Sequence, residues 1–307
     1  MVNSKKLFEA QVEKADTFLT NVGANGVLDP KKANEFFLKM EEASVLHQFS
    51  RVEILDRKEM ILPNLAFQSR VIRPGIEGVA QTESQRYRPT FSSTTITTKK
   101  LKAVVGMSEE VLEDNVEQEA LYNKIMEGMS KRIAFDNDDL VMNGDITAGD
   151  AVYALFDGAL DRAGHSLNAG GVDLSPTVLK NTLGEMPAKH RHNMADLAFY
   201  ISPMSEINYR QDLSSRATGL GDEYLEGERR VRYMGMPLVK TPALLESGTT
   251  SALLTYPKNL IIGYYKEIRF NKVIDYMAGM VYIVATYWTG FNYEDNDAVV
   301  KTTNLTF

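Results

Sequence analysis

Residues 51–102 constrain the fold most, because they combine an excess of positive charge with a strand-like sequence that has little to bury. This basic segment contains ten Lys and Arg but only five Asp and Glu, so its net charge is +5. Since the whole chain carries a net charge of −7, the remaining residues sum to −12. From Ser92 to Lys99, polar and β-branched residues fall on both faces of an alternating strand, so neither face can pack on its own.

Two strand-like stretches, Leu65 to Ile72 and Phe91 to Val105, flank turn-forming Pro and Gly residues in this segment, which predicts a long β-hairpin. A hairpin with two polar faces is unstable alone and must rest on another surface. A surface hairpin lying on its own domain meets this requirement. A contact with another protein meets it as well, and the Arg content favours the contact because Arg binds carboxylates in bidentate geometry.

The acidic remainder of an identical copy is the complementary partner for a basic hairpin. We therefore predict that assembly brings carboxylates of one copy against the hairpin of the next. The basic side chains expected to make this intersubunit contact are Arg57, Lys58, Arg70, Arg73, Arg86 and Arg88.

The strongest helical pattern follows the basic segment. Ser108 is a candidate N-cap, with Glu109 and Glu110 at the positive end of a first turn. Apolar residues recur at helical spacing from Leu121 to Leu140, which predicts a helix over about 116–142 that ends at Asn143-Gly144. Such a helix is about 40 Å long, enough to be the spine of a domain.

Outside this region, helices and short strands are mixed without regular βαβ alternation, which predicts an α+β fold. Two N-terminal helices are expected, one over 4–20 and one beginning at Asp29-Pro30. Ser175-Pro176 begins another helix, and the segment from Arg210 to Gly221 has the polar, Gly-containing composition of a mobile loop. Strands are expected at 198–201, 238–239, 260–262, 268–270 and 281–287.

The residues that usually carry chemistry do not form a recognisable site. No phosphate-binding glycine loop, nucleophile elbow or zinc-protease helix is present. His190 and His192 flank Arg191, whose charge disfavours a bound cation, and we interpret them as surface histidines. Asp136, Asp138 and Asp139 lie at the negative end of the predicted helix, which favours a structural role over a metal site. The tyrosines of the last third fit a packed β core or an interface better than a ligand pocket.

Composition narrows the functional classes. The chain has no Cys, which excludes disulfides and Cys-based zinc sites. No apolar stretch follows Met1 and no run of 18 apolar residues occurs, so we expect neither a secretory signal nor a membrane span. A net charge of −7 argues against a dedicated nucleic-acid binder. It is compatible with a container for nucleic acid, whose wall should not grip the phosphates.

Four stretches occur in the order found in a known family. "VGMSEEVLEDN" at 105–115 leads from the basic segment into the long helix, and "DDLVMNGD" at 138–145 ends that helix. "YMGMPLVKTPAL" at 233–244 and "NYEDNDAVVKTTNL" at 292–305 follow as a Gly-x-Pro strand and a closing strand after an acidic turn. In this order the sequence resembles the major capsid proteins of tailed bacteriophages, whose fold is named for phage Hong Kong 97.

The resemblance implies an α+β capsid fold with five parts. These are an N-terminal arm (1–50), an extended hairpin or E-loop (51–103), a P-domain spine helix (104–145), an A-domain with intervening P-domain strands (146–290) and a closing strand (291–307). It also implies that an axial loop of the A-domain meets the symmetry axes. By position, that loop would include Arg210, Arg216, Gly219 and Gly221.

The function implied by the resemblance is a structural one, without an active site, catalytic residues, a metal or a cofactor. Copies would assemble as pentamers and hexamers into an icosahedral shell around double-stranded DNA, without specific DNA binding. Assembly would take place in the host bacterial cytoplasm and the product would be part of the virion. Portal and decoration proteins are expected partners. A separate scaffolding protein is also expected, because only about 50 residues precede the E-loop.

Three other functions stay open from the sequence. An encapsulin-like nanocompartment has the same fold but encloses an enzyme, and the phage-like N-terminal region disfavours it. A soluble enzyme would need a convergent polar site that the sequence does not display. A nucleic-acid-binding protein would use the basic segment, against the charge of the whole chain.

Overall fold

The computed structural model describes most of the chain from Lys39 onward. The described residues are 39–40, 43–66, 72, 80, 82, 90–108, 118–214, 231–244, 248–265 and 269–306. The first expected N-terminal helix lies outside these residues, and of the second only its last part, at Lys39 and Met40, is described, where it is helical. The first turn that Ser108 is expected to cap also lies outside them, since Ser108 itself ends a strand and the description resumes at Gln118.

One long helix dominates the helical structure and confirms the strongest sequence pattern. It runs from Gln118 to Asn143, about 39 Å at 1.5 Å per residue. Gly144 follows it because the chain folds back tightly there: a Cβ at this position would overlap the carbonyl oxygen of Phe156. The α-helices whose bounds fall within the described residues are, in chain order, α1 (Val45–Gln48), α2 (Gln118–Asn143), α3 (Pro176–Glu185), α4 (Ala188–Arg191) and α5 (Pro203–Ser214).

Thirteen strands lie within the described residues. In chain order they are β1 (Arg51–Leu55), β2 (Glu59–Ala66), β3 (Thr90–Thr97), β4 (Lys99–Ser108), β5 (His165–Asp173), β6 (Ala198–Ile201), β7 (Arg232–Tyr233), β8 (Met236–Lys240), β9 (Thr250–Thr255), β10 (Leu260–Tyr265), β11 (Arg269–Asp275), β12 (Met280–Tyr293) and β13 (Val300–Thr306). The interior strands expected from the sequence are all present, several of them longer than expected. The mixture of helix and sheet confirms the α+β class.

The hairpin expected in the basic segment is present, but its strands differ from the expected ones. β2 pairs with β3 from Glu59 opposite Thr97 to Ala66 opposite Thr90. The sequence predicts a first strand from Leu65 to Ile72, whereas β2 begins at Glu59 and contains Pro63, which has no backbone N–H to donate. The expected strand from Phe91 to Val105 is two strands, because the backbone N–H of Thr98 turns to the carbonyl of Lys58.

The second sheet is built around β12, the longest strand. β4 pairs along one edge, from Met280 opposite Ser108 to Thr289 opposite Lys99. The other edge is shared: β11 pairs with the first half of β12 and β10 with its second half, and β1 adds to β10 in parallel. Ile283, Ala285 and Tyr287 are buried on one face of β12, and they belong to the same apolar cluster as the long helix α2.

The third sheet has the order β5–β13–β9–β6–β8–β7. Its central strand β6 is buried on both faces. Ala198 and Tyr200 join the cluster that contains α2, whereas Phe199 and Ile201 join a second cluster that contains residues of α3 and α5. The sheet therefore separates two apolar cores and contributes to both. Ser175 caps α3, as expected, by accepting a hydrogen bond from the backbone N–H of Val178 at 3.4 Å. No helix within the described ranges is long and apolar enough to cross a membrane.

Candidate intersubunit surfaces

The basic hairpin is anchored at its base. Thr98 donates through its backbone N–H and its Oγ1 to the carbonyl oxygen of Lys58, at 2.8 and 3.0 Å. Ile96, on the inner face of β3, is fully buried in a small cluster with Leu55 and Ile261. These contacts fix where the hairpin leaves the body of the protein.

The third anchor is a hydrogen bond and a close backbone approach. Asn292 donates through Nδ2 to the carbonyl oxygen of Thr95 at 2.8 Å. At Gly290, a Cβ would overlap the carbonyl oxygen of Thr97, so only glycine lets β12 pass this close to β3.

Farther from the base the hairpin is exposed. Ile61 sits opposite Thr95 and leaves 64% of its surface to solvent, an unusual position for a large apolar side chain. Arg57 and Lys58 are exposed in the bend between β1 and β2, next to the anchored base. The other predicted contact residues, Arg70, Arg73, Arg86 and Arg88, lie outside the described residues.

The axial-loop prediction is wrong over its first part. Arg210 is not in a loop: it lies in α5, which continues to Ser214. Its guanidinium pairs with Glu206, one helical turn earlier, at 2.8 Å, and Lys240 of β8 reaches the same carboxylate at 3.2 Å. A polar composition suggests a loop, but this buried carboxylate and its two cations stabilise a helix. Arg216, Gly219 and Gly221 lie outside the described residues.

A buried polar chain connects α1 to α2, and no sequence pattern indicates it. Asp138 is buried, and its carboxylate accepts hydrogen bonds from Ser44 Oγ at 2.6 Å and from the backbone N–H groups of Val45 and Leu46 at 3.0 and 3.3 Å. A side chain from α2 thus caps a helix more than ninety residues earlier in the chain. Local capping patterns detect only a residue next to the helix that it caps.

The chain of hydrogen bonds continues through His47 to β10. Ser44 Oγ contacts His47 Nδ1, and the Tyr264 hydroxyl lies 2.7 Å from His47 Nε2 and accepts from Asn137 Nδ2 at 2.8 Å. Burial lowers the pKa of His47 to about 4 and raises the pKa of Asp138 to about 6. His47 is therefore neutral at pH 7, and its 3.9 Å separation from Asp138 is a polar contact within the chain rather than an ion pair.

The remaining candidate residues take structural positions. Asp136 pairs with Arg132 on the exposed side of α2, and Asp139 accepts hydrogen bonds from Asn143 and Tyr153. His190 lies in the short helix α4, 3.4 Å from the Asp295 carboxylate, and His192 follows the helix. Among the residues that the structure covers, no three His, Asp or Glu side chains are placed to hold a metal ion.

The matches to known proteins extend over nearly the whole chain. No family model matches it. A chain of the satellite phage P4 procapsid, in a structure that includes the size determination (Sid) protein, matches 98% of this chain over 98% of its own length, with a TM-score of 0.64 and 10% identity. The chain has the Hong Kong 97 capsid fold. The expected fold is thereby confirmed.

Two further matches agree with this Hong Kong 97 fold. The structure from Gordonia phage Cozz has a TM-score of 0.61 and 17% identity, over 85% of this chain and 86% of that one. In sequence, the chain is 29% identical over 300 residues to "Putative prophage capsid protein YqbE" of Bacillus subtilis (strain 168), covering 94% of this chain and 96% of that protein.

Proposed function

We propose that this chain is a major capsid protein, which self-assembles into the icosahedral shell that encloses the double-stranded DNA genome of a tailed bacteriophage. The observation that carries the proposal is the extent of the structural match. The Hong Kong 97 fold aligns over nearly the full length of this chain and of a phage procapsid chain. The sequence match to a prophage capsid protein also spans nearly both full lengths.

The proposal includes the parts and partners that the fold suggests. Residues 51–103 act as the E-loop, 104–145 as the spine of the P-domain and 146–290 as the A-domain with P-domain strands between, with the arm at 1–50 and the closing strand at 291–307. Pentamers and hexamers of the chain build the shell in the host cytoplasm, together with separate scaffolding, portal and decoration proteins. The shell itself remains in the virion and makes no specific contact with DNA.

Electron microscopy tests the assembly directly. The chain, expressed in bacteria with the scaffolding protein of its own gene cluster, should form closed and uniform shells. Only scattered aggregates or small oligomers would contradict the proposal. Nuclease-protected double-stranded DNA in particles from phage-producing cells separates a virion shell from a nanocompartment, which would contain a cargo enzyme instead.

The basic hairpin offers a second, more specific test. Replacing Arg57 and Lys58 with Glu should reduce shell formation, because the exposed bend would then repel the acidic surface of a neighbouring copy. The same reversals at Arg70, Arg73, Arg86 and Arg88 should act in the same direction. Lys180→Glu, an exposed reversal on α3, is the matched control. Normal shells from the hairpin variants would show that shape and strand pairing, rather than charge, hold the hairpin.

A further inference from the structure

The sheet around β12 has a face that no part of the described chain covers. Successive side chains of β12 point to opposite faces of the sheet. Ile283 and Ala285 are buried on one face, and the residues between them point to the other, outer face. On this face Val104 of β4 and Val273 of β11 leave 51% and 48% of their surfaces exposed. Val104 lies opposite Val284 and Val273 lies opposite Tyr282, so the two half-exposed valines stand on either side of β12. With Val284 they make an apolar strip that solvent alone does not explain.

Positive charge borders the strip. Lys102 and Arg269 lie on the same face, both opposite Thr286, and Lys100 stands over the ring of Trp288 at 5.6 Å. Asp275 lies at the tip of the face, where its carboxylate accepts hydrogen bonds from the turn that follows. We call this surface, with its valines and three cations, the basic sheet face.

A second surface has the opposite charge and the same apolar character. Residues 144–161, which follow the long helix α2, contain four Asp and no Lys or Arg. Ile146 and Val152 in this acidic loop leave 62% and 51% of their surfaces exposed. A hydrogen bond from the Asp145 backbone N–H to the Tyr153 carbonyl oxygen at 3.0 Å closes the loop, so the backbone next to Ile146 and the backbone next to Val152 are held together.

The conformation of the acidic loop is fixed before any contact is made. Asp145 accepts from the backbone N–H of Thr147 at 2.7 Å, Asp150 from that of Val152 at 2.7 Å and Asp157 from that of Ile146 at 3.0 Å. A preorganised loop loses little conformational freedom on binding, which favours its use as an interface.

The two surfaces cannot meet within one molecule. The acidic loop is tied to the far end of β12, where Tyr293 donates to the carbonyl of Ala159 at 2.8 Å and Arg162 donates to Asn292 at 3.0 Å. The basic sheet face is centred on Val284, earlier in the same strand and about 26 Å away at 3.3 Å per residue. Contact between the surfaces therefore requires another copy.

We infer that the acidic loop of one copy docks on the basic sheet face of a neighbouring copy in the shell. The inference rests on the proposed capsid function and adds the residues of one contact. Each surface is unlike the other, so the contact is heterologous and repeats around a ring, as the closed rings of a capsomer require. The valines of the face and the apolar pair of the loop form the centre, and the charges of opposite sign form the rim.

A charge exchange tests the contact. Lys102→Glu puts a negative charge where the acidic loop would dock, and Ala151→Lys adds a positive charge to the exposed tip of that loop without removing a carboxylate that shapes it. Each single variant should yield at least about tenfold fewer sedimenting shells than the wild type, because a small loss at one contact is repeated throughout the shell. The double variant should restore shells to near the wild-type yield, since the two introduced charges then attract each other across every contact, with their signs exchanged between the surfaces.

The controls separate the possible failures. Lys180→Glu, outside both surfaces, should assemble normally, and circular dichroism of each variant should show an intact fold. If wild-type protein forms no shells, the capsid function itself fails. If it does form shells and either folded single variant assembles normally, or the double variant gives no rescue, the docking contact is overturned. If Lys102→Glu forms normal shells that retain less DNA, the basic sheet face binds nucleic acid instead of a neighbouring copy, and the inference is also overturned.

Discussion

At the scale of single residues, the buried chain from Asp138 to Tyr264 has one consistent direction. Asn137 Nδ2 donates to the Tyr264 hydroxyl, and that hydroxyl donates to His47 Nε2, because the ring of neutral His47 donates through its other nitrogen. The proton of neutral His47 is then on Nδ1 and points at Ser44 Oγ, which donates to Asp138. The direction of each hydrogen bond depends on the next one, so a substitution of one of these buried residues affects groups beyond its own contacts.

The pH dependence of stability follows from the two shifted groups. The pKa of Asp138, raised by burial to about 6, lies above its unfolded value, so its contribution to stability is complete below about pH 4. That contribution is lost as the pH rises through about 6. The pKa of His47, lowered by burial to about 4, lies below its unfolded value near 6.5. Its contribution is therefore gained as the pH rises from about 4 to 6.5, and the two effects oppose each other.

Asp138→Asn should expose the contribution of the histidine. We expect the free energy of unfolding to rise more steeply between pH 4 and 6 in the variant than in the wild type. The difference between the two proteins should change by on the order of 2 kcal/mol over this window. Urea unfolding of the unassembled chain at several pH values measures it. A difference that does not vary with pH would show that Asp138 is not titrating in the folded protein.

Gly290 is the residue where the hairpin and β12 come closest. Gly290→Ala should lower the free energy of unfolding by about 1–3 kcal/mol, because the new Cβ would overlap the carbonyl of Thr97 and force the strands apart. Gly149→Ala is the matched control, since its Cβ would meet nothing within 4 Å. Equal stability of the two variants, measured by thermal unfolding, would contradict the close approach.

At the scale of elements, the hairpin β2–β3 has two unlike sides. Ile96→Ala, which empties the buried cluster at the base, should cost about 2–5 kcal/mol of unfolding free energy. Ile61→Ala changes a mostly exposed side chain on the partner strand and should stay within about 0.5 kcal/mol in the unassembled chain. Chemical denaturation of the two variants compares them, and a large loss for Ile61→Ala would mean that the hairpin packs differently.

The elements also differ in how well local sequence predicts them. The predicted end of α2 lies within about one residue of the observed end, because the apolar spacing and the Asn-Gly stop are local signals. The hairpin itself is predicted, but its strand bounds are not. The early start of β2 and the break at Thr98 both depend on contacts with residues distant in sequence. The sequence around Arg210 suggests a loop, but Arg210 lies in a helix. There it shares the carboxylate of Glu206 with Lys240, which comes from strand β8.

At the scale of the whole molecule, the third sheet couples two cores. Met142 belongs to the core shared with α2, and Leu179 belongs to the core on the opposite side. Met142→Ala and Leu179→Ala should each lower the same unfolding transition, by about 2–5 kcal/mol, because loss of either core removes support from β6. Circular dichroism and the fluorescence of Trp288 should report coincident transitions. Two separated transitions, each shifted by one variant, would show that the cores unfold independently.

The sequence by itself determined the α+β class, the long helix, most interior strands and, through the order of four motifs, the resemblance to phage capsid proteins. These features depend on spacing and order along the chain, which one sequence displays completely. Only the tertiary structure decided that Asp138 caps α1, that Gly290 admits the hairpin, and that the acidic loop lies at the far end of β12 from the centre of the basic sheet face. Each of these joins residues distant in sequence, and burial and distance acquire values only when the chain is folded.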